Sequence, residues 1–138
     1  MRVYLDSAPV IYAVERVSGY VAEVDAILSA ADVVQVASDL TRLECRVKPI
    51  RDSDRDLLAD YDEYFGRTVS EIVALSRVVV DRATEIRASY GFRTPDAIHL
   101  ASALESNCDL FLTNDHRLDR FPDIAVQIVE SQPGIGPS

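Results

Sequence analysis

Short apolar runs alternate along the chain with longer segments whose apolar residues recur every three or four positions. Residues 2–5, 33–37, 110–113 and 125–129 are such runs and predict strands, and a further strand lies within residues 68–75. The segments between them read as helices. Ser7 and Pro9 start one over residues 8–14, and Val21, Val24, Ile27 and Leu28 mark a second over residues 20–31. Ser38 or Asp39 caps a third that carries Leu40, Leu43, Glu44 and Val47 and is expected to stop before Pro49. The run Ser53-Asp54-Arg55-Asp56 opens a fourth that extends to Phe65 and ends at Gly66. Ser76 caps a fifth that ends at Gly91. The sixth, through Glu105, has Thr94 as its N-cap and Pro95 at the first helical position, where no N–H is needed.

Strands separated by helices imply an α/β fold, a mostly parallel sheet covered on both faces. No repeat or linker interrupts the chain. One domain is expected over residues 1–130, followed by a flexible C-terminal tail at residues 131–138. In such sheets the ligand crevice lies beyond the carboxyl ends of the strands, where the strand order reverses.

A hydrophobic content of 48% and a charged content of 27% describe an ordinary globular protein, and 138 residues suffice to bury a core. No apolar run is long enough to span a bilayer. The N-terminal Met1-Arg2-Val3-Tyr4-Leu5-Asp6 meets an acid too early for a signal peptide, so a cytoplasmic protein is expected. Cys45 and Cys108 are too far apart for a metal motif and read as free thiols, Cys45 as core packing. The net charge of −9 argues against a general nucleic-acid binder, yet carboxylates gathered around a cation reverse their local sign. Lys48 is the one lysine among 14 basic residues, so the few arginines near any site gain weight as phosphate forks.

Four acids fall where such a crevice could use them. Asp6 ends the first strand, Asp115 follows the fourth, and Glu44 and Asp96 sit on helices that can flank it. Each also has a local role open to it: Asp6 as a helix cap, Glu44 on a solvated face, Asp96 at a helix dipole, Asp115 in a turn. Glu44, however, lies at the edge of the apolar stripe Leu40, Leu43 and Val47, and Asp96 shares a face with His99 and Leu100. Two carboxylates about 5 Å apart repel by roughly 3 kcal/mol at an effective dielectric of about 20, so acids are not gathered for stability. Oxygen-only donors point to Mg²⁺ or Mn²⁺ rather than zinc, and such a cation serves phosphodiester hydrolysis by activating water and stabilising the departing oxygen.

Asp6 after a strand, Glu44 on a helix, Arg93-Thr94-Pro95-Asp96-Ala97-Ile98-His99-Leu100-Ala101, and Phe111-Leu112-Thr113-Asn114-Asp115 together resemble a PIN-domain ribonuclease, most of all the VapC toxins of toxin–antitoxin pairs. The likeness runs from Met1 to Val129. It implies a parallel sheet of about five strands ordered 3-2-1-4-5 and Mg²⁺- or Mn²⁺-dependent cleavage of single-stranded or looped RNA. By position, Asp6, Glu44, Asp96 and Asp115 become the catalytic, metal-binding quartet. Thr113 and Asn114 support it by hydrogen bonds, and Asp119 is a peripheral acid. Arg46, Lys48, Arg93 and Arg117 are candidate RNA phosphate contacts, and His99 is read as a helix residue packed near the site rather than a ligand. The resemblance further implies a homodimer and a cognate VapB-like antitoxin whose C-terminal segment offers an arginine to the acidic pocket.

Three other readings compete. A housekeeping PIN nuclease of RNA maturation shares the chemistry without an antitoxin, and a PIN-like module that has lost catalysis would only bind. A phospho-acceptor signalling domain would need adjacent acids after the first strand and a lysine near the last. Here Ser7 follows Asp6 and the lone lysine is Lys48.

Overall fold

The computed structural model describes residues 1–132 and sets the strands side by side in one parallel sheet. The strands are β1 (Arg2–Leu5), β2 (Val34–Ser38), β3 (Glu71–Val73), β4 (Leu110–Thr113) and β5 (Ala125–Ile128), ordered β3-β2-β1-β4-β5. Tyr4 on β1 is level with Val36 on β2 and with Phe111 on β4. The helices are α1 (Ser7–Val14), α2 (Val21–Leu28), α3 (Asp39–Arg51), α4 (Arg55–Glu63), α5 (Arg77–Tyr90) and α6 (Thr94–Glu105).

The period-2 alternation of strands divides the core into two layers. Tyr4, Val36 and Phe111 face α5 and α6, packing with Val79, Ile86, Leu100 and Ala101. Val3, Leu5, Ala37 and Leu112 face the other way, against Val10, Val24, Cys45 and Tyr61 from α1 to α4. Both faces are therefore apolar, as parallel strands require. The Tyr4 and Phe111 rings stack across the β1–β4 seam with centroids 5.2 Å apart.

The order gives β1 a special place. The chain builds β2 and β3 on one side of it, then crosses to build β4 and β5 on the other. The crevice between the carboxyl ends of β1 and β4 is thus the switch point of the sheet. The Asp6 N–H, bonded to Leu112 O at 3.0 Å, sits at its floor.

Several local expectations are corrected. Helix α3 runs through Pro49 to Arg51 instead of stopping before it. Proline near a C-terminal end costs one internal bond, and the turn closes anyway through Asp52 N–H to Lys48 O and Asp54 N–H to Pro49 O. The face of α3 turned inward is Thr41, Cys45 and Pro49, while Leu43 and Val47, expected in the buried stripe, are 58% and 49% exposed. Arg93, not Thr94, occupies the N-cap of α6, because the Ala97 N–H already bonds Arg93 O at 3.0 Å. Pro95 moves to the second helical position, where its missing N–H is equally harmless. Gly66 does not end α4. It lies inside a π-helical turn over Tyr64–Thr68, and that wider turn brings both Phe65 and Val69 into the core. Helix α2 ends at Leu28, short of the expected residue 31. Of the expected tail, Gln132 N–H bonds Gly19 O at 2.7 Å, and residues 133–138 lie outside the described residues.

Candidate active site

Asp6 is built into two elements at once. It follows β1 and caps α1, its Oδ1 accepting the Ser7 N–H at 2.8 Å. Its Oδ2 accepts a hydrogen bond from the Thr113 hydroxyl at 2.7 Å. The same Thr113 oxygen accepts the Asp115 N–H at 3.1 Å, so the last residue of β4 ties two of the four acids together.

Glu44 arrives from α3, oriented because Ser38 caps that helix with a reciprocal bond to Thr41. Glu44 Oε1 accepts from the Ser7 hydroxyl at 2.6 Å and lies 2.7 Å from His99 Nε2. That imidazole, 2% exposed on α6, is also 3.3 Å from Asp6 Oδ1. Ligand atoms of Asp6, Glu44 and His99 all fall within 4.8 Å of one another, the one such group among the described residues. Asp96 sits one turn before His99 in the first turn of α6, where the helix dipole favours a carboxylate.

Asp96 and Asp115 meet through arginine. Arg93 Nε is 3.1 Å from Asp96 Oδ2, and its Nη2 lies 3.8 Å from Asp115 Oδ2. Arg117 donates from both its backbone N–H and its Nε to Asp115 Oδ1, each at 3.0 Å. The expected quartet is therefore arranged as two pairs, Asp6 with Glu44 through Ser7 and His99 and Asp96 with Asp115 through Arg93, and Thr113 joins one pair to the other.

The local fields follow. Burial pushes the Glu44 carboxyl up, but hydrogen bonds from His99 and Ser7 outweigh it and hold the group below the ordinary carboxylate range. Burial pushes His99 down, and the Tyr4 oxygen, Glu44 and Asp6 reverse this and raise it well above the usual imidazole value. The Arg117 guanidinium holds Asp115 low. Carboxylates of this density, steadied by hydroxyl and guanidinium partners, fit a hard divalent cation. Arg93 and Arg117 already bring positive charge to Asp96 and Asp115.

The remaining candidates divide. Asn114 donates to the Tyr12 hydroxyl at 2.9 Å rather than to any of the four acids. Asp119 joins Arg93, Asp96 and Arg117 in lining a cleft of about 590 Å³. Arg46 pairs with Asp62 of α4 at 2.9 Å, and Lys48 lies 3.7 Å from Glu15 at the end of α1, so neither is drawn to the acids. Sequence reasoning missed Ser7 and the hydroxyls of Tyr4, Ser38 and Thr41. Ser7 carried a signal in its adjacency to Asp6. Tyr4 carried none, since it reads as one more apolar strand residue.

A PIN domain family model matches residues 3–124. The chain belongs to the PIN domain family. No curated protein sequence matches this PIN domain. Among solved structures it is similar to the VapBC2 complex of Rickettsia felis bound to a promoter DNA fragment, with a TM-score of 0.76 at 15% identity. That match covers 94% of this chain and 100% of the other. The DNA-bound VapBC of Salmonella typhimurium matches with a TM-score of 0.68 at 16% identity, covering 93% of this chain and 98% of the other. VapC20 of Mycobacterium tuberculosis, a sarcin–ricin loop cleaving toxin, gives 0.66 at 11% identity over 79% of this chain and 86% of the other. At these identities the likeness is one of fold. Among the described residues no helix of this PIN domain is long and apolar enough to cross a membrane.

Proposed function

We propose that this PIN domain is a divalent-metal-dependent endoribonuclease, the toxin of a VapBC-type toxin–antitoxin pair, which hydrolyses RNA phosphodiester bonds. The observation that carries the proposal is the convergence of Asp6, Asp96 and Asp115 on the sheet's switch point through Thr113 and Arg93, with Glu44 joined to Asp6 through Ser7 and His99. These four carboxylates would hold Mg²⁺ or Mn²⁺. When bound, the cation supplies Lewis-acid activation of water and phosphodiester.

The chain's own residues do the positioning. The Ser7 N–H and Thr113 hydroxyl fix the two oxygens of Asp6, and the Ser7 hydroxyl fixes Glu44. Arg93 and Arg117, 65% and 57% exposed, stand at the mouth of the cleft where an RNA phosphate would arrive. Their guanidiniums offer it forked hydrogen bonds. The same acids suit an arginine from an antitoxin segment, and the likeness in fold to VapBC complexes supports that partner. The exposed Leu43, Val47 and Ile50 along α3 support a homodimer.

The test is cleavage of pooled cellular RNA by wild type and by Asp96→Asn, with Mn²⁺, Mg²⁺ or EDTA. The substitution is nearly isosteric and keeps the helix start. Cleavage that needs the metal and disappears in Asp96→Asn is expected. Equal metal-dependent cleavage by both proteins, co-purifying with the folded chain, would show that Asp96 plays no part in the reaction and would refute the assignment. A basic peptide with the C-terminal sequence of the neighbouring gene product is expected to bind and inhibit.

A further inference from the structure

The surroundings of His99 sort its two ring nitrogens. Nδ1 is 2.8 Å from the Tyr4 hydroxyl, which donates to Ser38 Oγ at 2.8 Å. Ser38 is held in turn as the cap of α3, accepting the Thr41 N–H. With its proton committed to Ser38, the Tyr4 oxygen accepts from Nδ1–H, which leaves Nε2 as the ring nitrogen turned towards the acids. Nε2 faces Glu44 Oε1 at 2.7 Å and Asp6 Oδ1 at 3.3 Å. Nε2–H donates to Glu44, and a cation set among Asp6, Glu44 and His99, whose ligand atoms all lie within 4.8 Å of one another, would take the place of that proton. An imidazole whose other N–H is tied to an outer oxygen is the usual posture of a metal-binding histidine.

Resting on the nuclease reading above, we propose that His99 Nε2 is a direct ligand of the cation alongside Asp6 and Glu44. The centre is then a mixed nitrogen–oxygen site that favours first-row transition ions such as Mn²⁺ over Mg²⁺. This differs from the expectation that His99 merely packs beside an all-oxygen site.

Pulsed EPR of Mn²⁺ bound to the tag-free full chain tests this, since a directly bound imidazole imprints ¹⁴N modulation on the manganese signal. The chain has two histidines, and the other, His116, is exposed and paired with Glu130 at 3.1 Å. Nitrogen coupling is expected in wild type and in His116→Gln and is expected to vanish in His99→Gln. The preference for Mn²⁺ over Mg²⁺ should also fall by roughly tenfold in His99→Gln. If His99→Gln fails to fold, the His116→Gln protein still decides, because His99 is then its sole imidazole. Mn²⁺ bound without nitrogen coupling would overturn the ligand assignment and leave the nuclease reading intact. No Mn²⁺ binding by folded wild type would overturn both.

Discussion

Replacing Tyr4 by Phe removes one oxygen and keeps the ring stacked on Phe111, so it isolates what the hydroxyl does for the site. The hydroxyl joins Ser38 to His99 inside the core, and without it two buried polar groups lose a partner. Tyr4→Phe is expected to cost about 1–3 kcal/mol in urea unfolding and to weaken metal binding by about tenfold in a calorimetric titration. Unchanged metal affinity would detach this network from the site. At this scale Asp6, Asp96 and Asp115 were legible in the sequence because each ends or begins an element, with the Thr-Pro-Asp and Thr-Asn-Asp runs marking two of those boundaries. Glu44 lies within α3 and was legible only from its place beside an apolar stripe. The relay was not. Tyr4 and His99 are 95 residues apart and meet only because β1 lies beneath α6, a contact no local pattern encodes.

At the scale of elements, periodicity identified every α-helix and strand but left some faces and ends open. In α3 the large apolar residues Leu43, Val47 and Ile50 recur at helical spacing, yet the small face of Thr41, Cys45 and Pro49 meets the core. The smaller residues allow α3 to lie close to the sheet and bring Glu44 within reach of Ser7. Gly91 ends α5 in the left-handed region at φ 71° with its N–H on Arg87 O, and nothing lies within 4 Å of where a Cβ would project. Gly91→Ala should therefore cost about 1 kcal/mol from backbone conformation alone, read as a shift in the urea midpoint with an unchanged slope. A much larger loss would mean that the turn between α5 and α6 is coupled to the Arg93 end of the site.

For the whole molecule, the strand order that the family resemblance implied is the order observed, and it turns scattered acids into neighbours. What the sequence could not supply was the pairing of those acids, since Thr113 and Arg93 link them only after β1 and β4 are side by side. The family resemblance carries the expectation of a homodimer, and the exposed stripe on α3 is the face proposed for it. Val47→Asp should convert a particle of twice 15.3 kDa into one of 15.3 kDa in sedimentation equilibrium, whereas an unchanged dimer would place the contact on another face. The central claim is that this pocket is a divalent-cation centre. Crystals soaked in Mn²⁺ and measured at the manganese edge test it most directly. The expected result is an anomalous peak about 2 Å from carboxylate oxygens of Asp6 and Glu44. A map with no peak there, and with Arg93 still bridging Asp96 and Asp115, would contradict the account.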